Sequence, residues 1–343
     1  MAELWFGALA LMLTGFVVFG GADLGVGALS LLMAKTDGER RAAIAAIGPF
    51  WHGDEVWLIA SGGVLFFAFP SLLATAFPAF YLAFFLVLWC LVLRGVSLEV
   101  RSHTDDPLWR AFWDVVFGLS SALLALLFGV ALGNVVRGVP IRLDRHFTLA
   151  LFTNFLPTGE VGLLDYYTVS VGAFALVALF AHGAAYLAYR CDGSLRERAR
   201  RTERRLWVVA AALFVVVSVE TAVLRPELFA ALATRPLAWL GTLVAITGVG
   251  VGARAYRREQ DGWVFLGSAA LLAGLLAATA VALYPILLRS TLTPAASLSA
   301  PGTLSSPYGL RVALVWWPIA LLLALGYFVF VFRSNRGKIS SDS

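Results

Sequence analysis

Apolar runs of roughly 20 to 30 residues, separated by short polar segments, recur along the whole chain. A helix that crosses a hydrocarbon layer needs about 20 such residues. None of the runs alternates with the two-residue period of a half-buried strand. Backbone groups in lipid must pair within helices or closed barrels, so the runs read as helices. The pattern predicts nine, at residues 4–33, 52–75, 77–101, 110–136, 164–189, 206–225, 236–254, 262–288 and 311–333. The expected fold class is all-α: a polytopic integral membrane protein with one transmembrane domain over residues 1–343. Pro70 and Pro78 bracket a short turn between helices 2 and 3. Residues 35–47 form a charged, interfacial segment. The long connections are 137–163 and 289–310, the second rich in Ser, Thr, Pro and Gly and expected to be a surface loop.

Composition supports this picture. Of 343 residues, 60% are hydrophobic and 14% charged, with a mean hydropathy of +0.84. The net charge of +5 is a topology signal and not a nucleic-acid signal. Of the 26 Lys and Arg residues, 19 fall after odd-numbered helices or in the tail, where Arg333, Arg336 and Lys338 lie. That bias puts the N-terminus outside and the C-terminus in the cytoplasm. An odd number of helices also requires opposite ends. The first fifteen residues carry one charged side chain, Glu3, and the apolar run continues to about Met33. This suits a retained first helix better than a signal peptide. Cys90 and Cys191 lie in helix 3 and in a cytoplasmic loop, so neither a disulfide nor a metal motif is expected.

Ionisable residues inside membrane segments are functional-site candidates. Asp23 lies about 28 Å along helix 1, in its cytoplasmic half. His52, Asp54 and Glu55 open helix 2, Arg94, Glu99 and Arg101 end helix 3, and Asp114 begins helix 4. The topology gathers them in one layer near the cytoplasmic face, which can hold exchangeable protons. His182 of helix 5 lies near the same level. Gly20, Gly21, Gly25 and Gly27 allow close helix contact around Asp23. Blander readings stand beside these. Asp54 and Glu55 also suit a helix N-terminus. Arg94 with Glu99 and Arg101 reads as structural polarity at the interface, Arg94 and Glu99 as an ion pair. Asp114 reads as a first-turn acid. Trp51, Trp57, Trp109 and Trp113 suit an aromatic interface belt. His103 and His146 suit solvated loops, and His182 an interhelical hydrogen bond. No phosphate-binding loop, haem-attachment motif or dinucleotide fingerprint is present. The residues alone leave transporter and respiratory subunit open.

Gly21-Ala-Asp23-Leu-Gly25-Val-Gly27 and Gly48-Pro-Phe-Trp51-His-Gly-Asp54-Glu55-Val-Trp57 resemble subunit II of the cytochrome bd-type quinol oxidases. So do Arg94-Gly-Val-Ser-Leu-Glu99-Val-Arg101, Trp109-Arg-Ala-Phe-Trp113-Asp114, Gly129-Val-Ala-Leu-Gly133-Asn134, His182-Gly-Ala-Ala-Tyr186 and Tyr284-Pro285. The resemblance runs through the chain in order. It implies a non-haem subunit in a multi-pass bacterial cytoplasmic-membrane heterodimer, inactive alone. Its partner, subunit I, carries haem b, haem d and the quinol-oxidising loop. The assembly oxidises quinol, reduces oxygen to water and takes protons from the cytoplasm. A small single-helix subunit, surrounding membrane lipid and a structural quinone within subunit II also belong to this picture, and no nucleic acid does. No cofactor is expected to be bound by this chain's own side chains, and no metal. The resemblance implies a proton path through Asp23, His52, Asp54, Glu55 and Asp114, with Trp57 beside an oxygen route.

Three positions depart from the family pattern. Gly20 stands where the first helix usually has an acid. His52 and Asp54 stand where the second-helix motif usually has Asp and Asn. A histidine can relay protons, so His52 and Asp54 are hypothesised to rebuild the path. The alternatives are a divergent bd-like complex with another electron donor, a proton-coupled transporter, and direct haem ligation by His52 or His182.

Overall fold

The computed structural model describes residues 1–335 and 337–340; Arg336, counted above among the basic residues of the tail, lies outside them. Helices make up most of the described residues. The long helices are α1 (Ala2–Met33), α3 (Trp51–Ala68), α5 (Tyr81–Val100), α6 (Pro107–Arg137), α7 (Tyr166–Arg190), α8 (Gly193–Leu224), α10 (Pro236–Arg257), α11 (Asp261–Leu283) and α13 (Pro307–Ser334). Shorter pieces are α2 (Asp37–Ile47), α4 (Pro70–Ala79), α9 (Pro226–Thr234) and α12 (Ala300–Thr303). Among the described residues, eight helices are long and apolar enough to cross a membrane, and the bent pair α3–α4 supplies a ninth span when counted as one.

Helix α1 is the central post, packed against α3, α6, α7 and α11. It approaches α7 backbone to backbone. A Cβ on Gly25 would sit 2.2 Å from the Leu179 carbonyl oxygen, and one on Gly183 would sit 2.4 Å from the Gly25 carbonyl carbon. Helices α10 and α11 interlock by the same device at Gly241 with Gly274 and at Gly248 with Gly267. In lipid, where apolar side chains gain little by leaving the solvent, such close backbone packing is a main source of helix association.

Four expected boundaries are corrected. The span expected at 52–75 is not one helix, because the chain breaks at Phe69 and turns through 118° into α4. Pro70 has no N–H to give and its ring clashes with the preceding turn, so Phe69 leaves the helical region at φ −129° and ψ 53°. The helix expected to begin at 206 begins at Gly193, since Arg and Glu are good helix formers outside any apolar window. The helix expected to reach 288 ends at Leu283, just before Pro285. Residues beyond it form β1 (Ile286–Leu288), antiparallel to β2 (Leu298–Ser299). The segment 289–310 is therefore a folded cap and not a free surface loop. Buried Ser290 donates its hydroxyl to the Ile141 carbonyl at 2.6 Å, and Val139 bridges Ser290. Leu298, Ala300 and Leu310 join the core formed by Trp5, Phe69 and Val139 at that end.

Candidate functional site: a buried carboxylate cluster on α1, α3 and α5

Asp23 sits on α1 between the glycines that admit α7, and it is buried. Arg94 reaches it from α5, so the two form a buried ion pair through the Arg94 Nη2 and Asp23 Oδ2 atoms. Asp23 Oδ1 is buried with no hydrogen-bond partner among the described residues. The other guanidinium nitrogen, Nη1, lies 3.6 Å from Glu55 Oε1 on the first turns of α3. Asp54, the neighbour of Glu55, is buried as well. The Phe117 ring of α6 closes the site with its centroid 5.7 Å from the guanidinium carbon. A cavity of about 10 Å³, the room of a single water, is bordered by Asp23, Asp54 and Tyr186 and walled by Phe19, Phe50, Phe265 and Phe332. The Tyr186 hydroxyl donates to the Ala46 carbonyl at 2.9 Å and so fixes the ring at the cavity edge.

The single polar layer expected from the sequence resolves into separate clusters. Asp114 does not join Asp23. It is buried, accepts from Arg101 Nε at 2.5 Å and Nη2 at 3.2 Å, and accepts from Arg40 at 3.0 Å. Being the eighth residue of α6, it is a clamp for α2 and α5 rather than a first-turn acid. Arg101 also holds Asp37 at 2.7 Å, with Arg110 and Arg41 each at 3.3 Å. Burial works against the ionised Asp37, yet Arg101, Arg110 and Arg41 hold its carboxyl below the usual range. On the same short helix, burial again opposes ionisation of Glu39. Arg198, the Lys35 N–H and Ser194 outweigh it and hold the Glu39 carboxyl down at about 2.

The expected Arg94–Glu99 pair does not form. Five residues along a helix is about 140° around it, so the two face different sides. Glu99 is exposed and makes no ion pair among the described residues. Trp57 is not part of an interface belt. It is buried between Met12, Phe16, Phe19 and Phe328, with Gly15 making room for its ring. His52 is exposed, stacked on Trp51 at 3.5 Å between ring centroids, and turned away from Asp54. His182 does make the interhelical hydrogen bond. Its Nε2 meets the Val18 carbonyl at 2.9 Å and its Nδ1 the Ser268 hydroxyl at 2.6 Å, tying α1, α7 and α11 together. His103 and His146 are exposed in connections, as expected. Cys90 and Cys191 are both free and buried, and burial pushes the Cys191 thiol up to about 12. Among the described residues no group of three or more His, Cys, Asp or Glu side chains is placed to hold a metal.

Sequence reading missed Tyr186 as a site residue, although its place one turn after His182 on the α1-facing side was available. It also missed a buried ion pair at the opposite end, between Arg137 of α6 and Asp165. Asp165 caps α7 in a capping box with Thr168, a spacing visible in the sequence. Arg137 further donates to Asn134 Oδ1 at 2.7 Å and to the Gly162 carbonyl at 3.1 Å. These bonds fasten the 138–165 connection to the bundle.

Residues 1–335 match the family described as cytochrome bd terminal oxidase subunit II. The chain belongs to that family. Among curated relatives, it is 31% identical to the cytochrome bd-I ubiquinol oxidase subunit 2 of Escherichia coli K12, across 99% of this chain and 95% of that one. It is 30% identical to the cytochrome bd ubiquinol oxidase subunit 2 of Bacillus subtilis, across 98% and 96%. It is 29% identical to the probable cytochrome oxidase subunit 2 of Haemophilus influenzae, across 99% and 95%. A chain of the bd oxidase from Geobacillus thermodenitrificans shares the fold, with a TM-score of 0.76 at 19% identity over 97% of each chain. As a subunit II of a bd-type oxidase, the protein is part of an oxidoreductase complex and a multi-pass protein of the bacterial inner membrane. The transporter reading has no support left. Direct haem ligation by His182 is closed by its two hydrogen bonds to the protein.

Proposed function

We propose that the chain is the non-haem subunit II of an oxidase that oxidises quinol and reduces oxygen to water, and that Asp23, Glu55 and Asp54 form a proton-holding station within it. The haems b and d belong to the partner subunit, as the family implies; among the described residues the one buried histidine, His182, has both ring nitrogens engaged by the protein. The observation that carries the station is charge imbalance in a buried place. Three carboxyl groups gather around one guanidinium, Arg94, beside a cavity the size of a water. A proton entering that group relieves repulsion, and the partnerless Asp23 Oδ1 is an acceptor ready for it. His52 lies at the exposed edge next to Glu55 and can pass protons from the surface to it. Asp114, locked between Arg101 and Arg40, serves as a structural anchor and not as a relay. Trp57 and the aromatic rings around it line the apolar side of the same helix pair, the place of the oxygen route implied by the family.

The test uses the intact complex with its haem-bearing partner. Asp23→Asn should lower quinol-driven oxygen uptake by about a hundredfold or more, the range of a lost proton-transfer group, with haem content unchanged. His52→Ala should lower it less and shift its pH dependence. Unaltered uptake and proton consumption in Asp23→Asn at full haem content would overturn the station; unaltered behaviour of His52→Ala alone would remove only the entry step.

A further inference from the structure

Half of the described arginines at the basic end of the bundle are held in ion pairs. Arg196 and Arg200 hold Asp261, and Arg198 holds Glu39. Among the rest, six stand on two helices: Arg201, Arg204 and Arg205 on α8, and Arg254, Arg257 and Arg258 at the end of α10. All six are exposed, and none has a side-chain hydrogen bond or ion pair among the described residues. The exposed acids nearest them in sequence, Glu197 and Glu259, form no ion pair with them.

The two sets stand side by side. Arg200 donates to the Tyr256 carbonyl at 2.9 Å and lies over the Tyr256 ring at 4.7 Å. The Tyr256 hydroxyl returns a bond to the Arg200 carbonyl at 3.3 Å. This contact holds α8 beside the end of α10 at the level of Arg200, so both sets of free guanidinium groups adjoin one contact between the helices. Residues 201, 204, 205, 208 and 209 share one helix face by their spacing of three and four. That face changes within one turn from arginine to Val208 and Val209, both exposed. On α10 the exposed residues above the arginines are likewise Val249 and Ile246. Exposed apolar side chains on each helix, giving way to unpaired arginines near the Arg200–Tyr256 contact, mark the boundary between acyl chains and headgroups.

We propose that this patch is a binding site for the phosphodiester headgroup of an anionic phospholipid, with the acyl chains lying along the valine and isoleucine stripes of α8 and α10. Phosphate is the complementary partner for clustered guanidinium groups, which bind it in a planar, two-point manner. The lipid surface is favoured over a protein partner because the apolar half of the site continues directly from the basic half.

The experiment compares the purified oxidase complex with one carrying Arg201→Gln, Arg204→Gln, Arg254→Gln and Arg257→Gln, and with the matching four-lysine variant. Each is placed in vesicles of phosphatidylcholine containing a trace of spin-labelled phosphatidylglycerol or spin-labelled phosphatidylcholine, and the immobilised fraction is read. Each arginine near a headgroup is worth about fivefold in affinity, so the four-glutamine variant should lose at least about tenfold of the phosphatidylglycerol preference. The lysine variant should keep much of it, which separates charge from misfolding. Inorganic phosphate should not displace the labelled lipid. Equal preference in wild type and the four-glutamine variant would overturn the site. So would displacement of the lipid by millimolar inorganic phosphate, which would reduce the patch to a simple anion site. Copurification of an acidic protein that blocks labelled lipid until it is stripped would overturn it too, in favour of a protein interface.

Discussion

Arg94 is the one cation facing three buried or half-buried carboxyl groups, and this makes two apparently equivalent substitutions unequal. In Asp23→Asn, Arg94 keeps Glu55 at 3.6 Å and can still donate to the new amide oxygen. The loss is that of a charged hydrogen bond, about 1.5–3 kcal/mol. In Arg94→Gln, Asp23 loses its counter-charge while it stays buried, and Asp54 and Glu55 remain beside it. Leaving a buried charge uncompensated costs about 3–5 kcal/mol. For chains of a few hundred residues each kcal/mol moves the unfolding midpoint by roughly 2 °C. Arg94→Gln should therefore melt roughly 6–10 °C below wild type and Asp23→Asn roughly 3–6 °C below it. The double variant should recover part of the loss, because removing Asp23 also removes the orphaned charge; coupling of about 0.5–3 kcal/mol is expected for such neighbours. Thermal unfolding of the detergent-purified complex, followed by intrinsic tryptophan fluorescence, gives all three midpoints. An Arg94→Gln midpoint equal to or above that of Asp23→Asn, or strict additivity in the double variant, would refute the view that Arg94 neutralises this cluster.

Glu39 provides a pH test. Its carboxyl is held down at about 2 against an ordinary value of 4.5, so its contribution is present above about 4.5 and fades as pH falls toward 2. At about 1.4 kcal/mol per unit this amounts to at most about 3.5 kcal/mol. Glu39→Gln should flatten the acid limb of a stability-against-pH curve, and an unchanged limb would refute the link to Arg198. Gly183→Val should keep α7 from α1, since even its first carbon would lie 2.4 Å from Gly25 backbone; the complex should fail to accumulate in membranes, whereas Gly62→Ala, with nothing within 4 Å, should accumulate normally. Arg137→Gln should free the 138–165 connection and raise its rate of proteolytic cleavage several-fold, with cleavage elsewhere unchanged.

Much of the helix plan was legible because it depends on one physical quantity, the length of an apolar run. It failed where another force set the boundary. Arginine-rich turns extend α8 to Gly193 because an aqueous helix needs no apolar residues. Pro70 breaks the second span because ring geometry overrides hydropathy. The 289–310 cap was invisible since its order comes from pairing with residues 139–141, far away in sequence. Within the site, the membership of Asp23 and Arg94 was readable from depth alone, but their pairing was not. Depth places residues in a layer, and only the angle around each helix decides which of them meet. That angle was partly available. Arg94 and Glu99 are about 140° apart and cannot face one partner, and His52 and Asp54 are about 200° apart, so one of the two had to leave the interior.

The same geometry accounts for the departures from the family pattern. At Gly20, a Cβ would lie 2.9 Å from the Phe16 ring, which itself packs on Phe128 with ring centroids 5.0 Å apart. Aromatic rings thus occupy the space that a first-helix acid would take, on the side of α1 where Trp57, Phe19 and Phe328 also gather. The carboxyl gained at Asp54 lies elsewhere, at the cavity shared with Asp23. His52, in place of a family acid, stands outside the cavity on the exposed side of α3. The substitutions therefore do not exchange like for like. One acid position has become apolar packing, one has moved outward as a titratable ring, and a neutral position has become a buried acid on the cavity that Asp23 borders.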